Sequence, residues 1–164
     1  MVSLYDACPD RVFVVAPGVD LQTFSPADGK AAARNRLNIA PDAIMLTFVG
    51  RVQPHKGPDV LLKAAAEMVM HTPHLRAKLA VVIIGGASGS VNELEKIKSL
   101  ARFLKIEDVT HFIEPVSREV LPDWYRASDL VCVPSYSESF GLFALVKIST
   151  LTPACAIFLA VSTT

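Results

Sequence analysis

Two six-residue runs, Ile44-Met-Leu-Thr-Phe-Val49 and Leu79-Ala-Val-Val-Ile-Ile84, are apolar almost throughout, and each delivers the chain onto a glycine, Gly50 or Gly85. A strand wetted on one face alternates apolar and polar residues, so runs like these belong to strands covered on both faces. Between them, Leu61, Leu62, Ala65, Met68 and Val69 recur at helical spacing behind Pro58, which fits a first helical turn. The same reading predicts further strands at 11–15, 110–113 and 130–133. It predicts helices at about 30–37, 58–70 and 91–104, through Trp124 and Tyr125, and after Ser139. Ser90 and Glu93 have capping-box spacing for the helix at 91.

Strand and helix thus alternate four or five times, the pattern of an α/β, doubly wound, Rossmann-like parallel sheet. Its 164 residues suit one domain, read as 1–164, with room for a core. In such sheets ligands sit beyond the carboxyl ends of the strands, near the switch in strand order. Each polar-glycine cluster of this chain directly follows a predicted strand. Lys+Arg and Asp+Glu balance at 16 each, so no overall field favours nucleic acid or a membrane surface, and an anion site has to be built locally. Cys8, Cys132 and Cys155 are widely spaced and odd in number, against a disulfide framework or a zinc knuckle. Neither a signal peptide nor a transmembrane segment is expected, although the chain is 51% hydrophobic. The expected location is the cytoplasm.

Three loops carry residues suited to chemistry. Gly50-Arg-Val-Gln-Pro-His-Lys-Gly57 joins a strand to a helix and presents two cations at a helix start. Arg51 offers a fork of donors and Lys56 a mobile point charge, a pair suited to a diphosphate, although a solvated loop would read the same way. Gly85-Gly-Ala-Ser-Gly89 fails both the dinucleotide and P-loop fingerprints, so it is either a tight turn or a place of close backbone approach. Pro134-Ser-Tyr-Ser-Glu-Ser-Phe-Gly141 places Glu138 at a strand-to-helix junction, where it could accept bonds from sugar hydroxyls or simply favour the helix dipole. His55, His71, His74 and His111 lack metal-ligand spacing, and no G-x-S-x-G elbow supports a serine hydrolase.

In order, Val15-Ala-Pro-Gly-Val-Asp20, the 50–62 segment, Gly85–Gly89, Tyr125-Arg-Ala-Ser-Asp129 and Pro134–Leu142 resemble the C-terminal, nucleotide-sugar-binding half of retaining GT-B glycosyltransferases of the family 4 type. The R-V-Q-P-x-K and P-S-Y-S-E-S-F-G-L stretches are similar to the inositol-phosphate branch that serves mycothiol biosynthesis. The resemblance runs from about residue 3 to residue 142. It implies a donor, UDP-N-acetylglucosamine, whose diphosphate is held by Arg51 and Lys56 and whose uracil meets the backbone at Val116. It implies that Glu138, followed by Ser139, Phe140, Gly141 and Leu142, addresses the donor sugar, with Arg51, Lys56 and Glu138 as the catalytic set. No cofactor is required for the chemistry. A peripheral Mg2+ is implied at Tyr125, Arg126, Ser128 (where the family often has Ala) and Thr152, through backbone oxygens. The acceptor, inositol phosphate, would be bound by a separate N-terminal domain, and a homodimer of the parent enzyme is compatible with the family.

The family's second glutamate should stand at 146, where this chain has Val146, and no acidic residue follows Glu138 at all. A valine cannot accept the bonds of ribose hydroxyls, at about 1–3 kcal/mol per group left unpaired. Past that point the family pattern keeps only Thr152-Pro153, so the expected domain is incomplete after about 146 and truncated at its C-terminus. The expectation is therefore an enzyme lineage whose isolated 164-residue chain is inactive; the alternative is a non-catalytic remnant, or a nucleotide-sugar-binding module needing a separate N-terminal half.

Overall fold

The computed structural model describes residues 8, 10, 12–13, 18–86, 91–136, 150 and 154–155. Helix α1 (Gly29–Arg36) precedes the central strand β1 (Ile44–Val49), and a short 3-10 turn (Pro54–Lys56) leads into α2 (Pro58–His71). Strand β2 (Leu79–Ile84), α3 (Val91–Phe103), β3 (Thr110–Ile113), α4 (Leu121–Ala127), β4 (Leu130–Cys132) and β5 (Ala154–Cys155) follow. The sheet order is β3-β2-β1-β4-β5, and every pairing is parallel. The order reverses beside β1, as a doubly wound sheet requires.

The unbroken apolar runs are explained by the alternation of side chains across the sheet. Leu46, Phe48, Val81 and Ile83 point into a core closed by Leu61, Leu62, Ala65 and Val69 of α2 and by Ala101 of α3. Their neighbours Met45, Val82 and Ile84 point the other way, against Ala33 of α1 and Ala127 of α4. Thr47 is the one polar break in β1. It is fully buried, and its hydroxyl lies 2.6 Å from that of Ser128, which in turn donates to Trp124 O at 2.6 Å.

The six predicted elements from α1 to β3 are found within a residue or two of their expected ends. The strand expected at 11–15 is not seen in its described part: Val12 and Phe13 lie outside the sheet and are exposed. Neighbouring apolar side chains of an extended chain are both buried only in a strand covered on both faces, and Val12 and Phe13 have no such cover. The remaining positions of that stretch, like Ser90 and the helix expected after Ser139, lie outside the described residues. Beyond the reach of the resemblance, Ala154 and Cys155 align with Val131 and Cys132 as a fifth strand.

A buried arginine ties these layers together. Arg34, on α1, is only 4% exposed. It donates to Ala127 O at 3.0 Å, Pro41 O at 2.6 Å and Asp129 Oδ2 at 2.6 Å. Asp129 also accepts from Lys30 and from the backbone N–H of Met45 at 2.7 Å, while its own N–H donates to Met45 O. One ion pair thus joins α1, the start of β1, the end of α4 and the start of β4. Burial alone would raise the Asp129 pKa, but the Lys30, Met45 and Arg34 contacts outweigh it and hold the carboxyl below the usual carboxylate range.

Removing one partner of such a pair leaves the other uncompensated, so Arg34→Ala should cost about 3 kcal/mol, read as a lower urea midpoint. The depressed Asp129 pKa stabilises the fold above the unfolded value of about 3.9, and that contribution is lost as pH falls through the folded value. Asp129→Asn should therefore destabilise the chain at neutral pH and flatten its loss of stability below about pH 4, measured by melting across a pH series.

Candidate functional site

Past its last residue each central strand continues as bare backbone. Gly50 N–H donates to Ile84 O at 3.0 Å, Val52 N–H to Gly86 O at 3.1 Å, and Gly85 N–H to Ile113 O at 3.0 Å. Gly85, at φ +148°, packs so closely on Gly50 that a Cβ there would collide with the Gly50 carbonyl. A Cβ on Gly86 would come within 3.2 Å of the Pro115 ring. The exits of β1, β2 and β3 therefore lie flush, with no side chain between them.

Above this floor is a cleft of about 380 Å3, lined by Val49, Gly50, Arg51, Lys56, Ile84, Gly85, Gly86, Pro115, Val116 and Leu121. Arg51 is exposed, whereas the next residue, Val52, is fully buried in the α2–α3 core. Extended backbone alternates its side chains, so anchoring Val52 on one side sends Arg51 to the other. The 3-10 turn, closed by Lys56 N–H to Gln53 O at 3.0 Å and Gly57 N–H to Pro54 O at 3.1 Å, returns Lys56 to the same cleft. Gly57 then takes a left-handed conformation (φ +67°) against the Pro134 carbonyl, and Pro58 opens α2. The amino end of a 14-residue helix thus stands behind the two cations and adds its dipole to theirs.

The loop after β4 is tied to this turn. Tyr136 N–H donates to His55 O at 2.9 Å, and Pro134 and Ser135 are buried beside it. Glu138, two residues on, lies outside the described residues, as do Ser139, Phe140, Gly141, Leu142 and Val146. The structure thus brings Arg51, Lys56 and Val116 together with Gly85 and Gly86, from three separate loops. Pro115, Leu121 and Val49 also line the cleft and were not singled out in the sequence. The signal available for Pro115 was its place in a Glu-Pro-Val loop directly after a strand.

Tyr125, Arg126 and Ser128 are elsewhere, on and just after α4. The Tyr125 ring is buried, meets Phe24 edge to face at 6.1 Å, and has its pKa pushed up by burial. The Ser128 hydroxyl is taken up by Trp124 O and Thr47, and Tyr125 O accepts from Ser128 N–H. Arg126 is itself a cation, bonded to Ser25 O at 2.7 Å, Thr23 O at 3.0 Å and Asp123 at 3.0 Å. These side chains are engaged in packing and bridging, and no group of three or more acidic, histidine or cysteine residues among the described residues could hold a metal ion, whereas the implied Mg2+ site would use backbone oxygens. Thr152 lies outside the described residues. His71, by contrast, sits at the far end of α2, with its side chain 75% exposed.

Fold and cleft together define an α/β domain that presents two cations and a glycine floor at the carboxyl edge of a parallel sheet. The family described as "Glycosyl transferases group 1" matches residues 29–150, and the chain belongs to it. It is 52% identical over 157 residues to the D-inositol 3-phosphate glycosyltransferase of Kribbella flavida, covering 95% of this chain and 37% of that protein. The chain thus spans about a third of the length of the curated relatives it matches. The C-terminal domain of a group 1 glycosyl transferase, LpcC of Francisella tularensis, superposes with a TM-score of 0.73 at 26% identity, over 85% of this chain and 70% of that one. HepE of Anabaena, solved in complex with UDP and glucose, shares the fold at a TM-score of 0.73 and 23% identity, over 88% of this chain and 37% of that chain. No helix among the described residues is long and apolar enough to cross a membrane.

The Gly57 contact makes a direct test of how the site is assembled. Gly57→Ala places a side chain in left-handed backbone and against the Pro134 carbonyl, at a cost of about 1–3 kcal/mol. The expected outcome is a melting temperature several degrees lower, whereas Gly18→Ala, with open space around it, should melt close to the parent chain.

Proposed function

We propose that this chain is the donor-binding part of a retaining glycosyltransferase that uses UDP-N-acetylglucosamine, with an inositol phosphate as acceptor. The observation that carries the reading is the convergence of Arg51, Lys56 and Val116 on one cleft. Those residues are 65 positions apart at the extremes and are joined only by the fold. A nucleoside diphosphate fits this arrangement: a flat base against Val116 and Pro115, and a diphosphate against the two cations and the glycine floor. In glycosyl transfer the bond from the anomeric carbon to the diphosphate breaks, and its electron pair leaves on the phosphate oxygen. Arg51 and Lys56 stabilise that growing charge, which is the main electrostatic demand of the step. Glu138 follows a segment pinned to the Lys56 turn and addresses the sugar hydroxyls. The acceptor assignment is supported by the inositol-phosphate relatives and the nucleotide by the UDP complex of HepE. The acceptor would be bound by the remaining two thirds of such a longer protein.

A second reading rests on Val146, which removes a ribose acceptor. On it, the chain binds the nucleotide sugar weakly and transfers nothing by itself. An assay with UDP-N-acetylglucosamine and 1-L-myo-inositol 1-phosphate decides between the two; turnover by the isolated chain overturns the second.

For the donor itself, Arg51→Ala and Lys56→Ala should each weaken UDP binding by about 10- to 100-fold, the worth of a hydrogen bond to a charged group. His71→Ala should leave it unchanged. Val146→Glu should tighten it. Isothermal titration with UDP measures all four, and equal affinities for the parent chain and the Arg51 and Lys56 variants would falsify the assignment.

A further inference from the structure

Arg126 is used by nothing in the cleft, yet it is among the most tightly held cations of the described structure. Its side chain is only 10% exposed. Its guanidinium donates to Thr23 O at 3.0 Å and to Ser25 O at 2.7 Å. These are the carbonyls on either side of Phe24, so one planar fork grips the backbone around a single aromatic residue. The third contact, to Asp123 at 3.0 Å, fixes the guanidinium from its own helix, and Asp123 is itself held by Arg36 at 2.7 Å.

Phe24 in turn is 8% exposed and clusters with Tyr125, Val131 and Val133. Val19, Val49 and Leu121 pack against this cluster. Val49 and Leu121 are also two of the apolar side chains that line the cleft. The Arg126 fork, the cluster that contains Phe24 and the back of the cleft wall are therefore parts of one packed unit. The 18–28 segment supplies no lining residue of its own, but it is the packing behind that wall.

We infer that Arg126 is a positioning residue for the nucleotide: by clamping Phe24 it holds Leu121 and Val49 at the separation from Val116 and the glycine floor that a bound base requires. This rests on the proposed UDP-sugar reading of the same cleft. It assigns a task to a side chain that a backbone-only role at this position leaves idle. Lysine keeps the charge but has no fork to span two carbonyls, so the geometry and not the charge is what matters.

The test is UDP titration, well below the melting temperature, of Arg126→Lys, Arg126→Gln and Phe24→Leu, each alone and combined with Leu121→Ala. Far-ultraviolet dichroism establishes that each is folded, and Phe24→Leu, which keeps an apolar core, addresses the same link if the Arg126 variants fail to fold. All three should weaken UDP binding about fivefold or more. Because they act through Leu121, their effects should be markedly less than additive with Leu121→Ala, and more strongly coupled to it than Arg51→Ala is, since Arg51 meets the diphosphate directly. A purely structural arginine would lower the melting temperature and leave UDP affinity unchanged, and that outcome overturns the inference, as does full additivity with Leu121→Ala. If the parent chain itself shows no UDP binding, the donor reading falls first and the inference with it; if the parent binds and Arg51→Ala weakens binding while the Arg126 and Phe24 variants do not, only the inference falls.

Discussion

Three main-chain hydrogen bonds beyond the last strand residues decide where everything in the cleft stands. Gly50 to Ile84, Val52 to Gly86 and Gly85 to Ile113 continue the ladder into what would otherwise be independent loops. Backbone groups have fixed reach, so the floor they form is set by the sheet and not by side-chain rotamers. Arg51 and Lys56 inherit their placement from it: one through the burial of Val52, the other through the turn that ends at Gly57. Glycine is required at 57 and 85 because other chain segments occupy the space that a Cβ would take.

The sheet that carries this floor is closed from behind by polar contacts as well as apolar ones. Arg34 and Asp129 are partners at the amino ends of β1 and β4, the two strands that flank the reversal in strand order. The pair lies at the opposite end of β1 from the cleft and so fixes the strand's alignment without competing for a ligand. Burying an arginine this deeply is costly unless its donors are met, and here they reach two carbonyls and a carboxylate. On the surface, Arg76–Asp108 and Lys98–Glu95 are exposed pairs of the kind that add little.

Much of the architecture was legible because two-sided burial writes itself into composition: β1 and β2 were bounded correctly from their apolar runs alone. The site was legible as residue types at strand exits, with Arg51 and Lys56 chosen for their chemistry and Val116 by resemblance. What could not be read was contact between distant segments. Nothing in the sequence marks Leu121 as a cleft wall or Phe24 as part of the cluster packed behind it, since both read as ordinary apolar residues. The strand expected at 11–15 shows the reverse error. Val12 and Phe13 have strand composition, but composition does not supply a neighbouring strand to pair with, and in the fold they stand outside the sheet. Tyr125, Arg126 and Ser128 were grouped by resemblance, and the structure shows their side chains spent on packing and bridging.

The buried hydroxyl pair of Thr47 and Ser128 couples two positions 81 residues apart. Both side chains are fully buried, and Thr47 interrupts an otherwise apolar strand. With alanine at 128 the threonine hydroxyl would have to find another acceptor in a dry interior, and with valine at 47 the serine would keep only the Trp124 carbonyl. Substitutions at the two sites are therefore not independent. Any library or ancestral reconstruction that varies one while freezing the other would sample mostly strained combinations, and would undercount the sequences this sheet can accept.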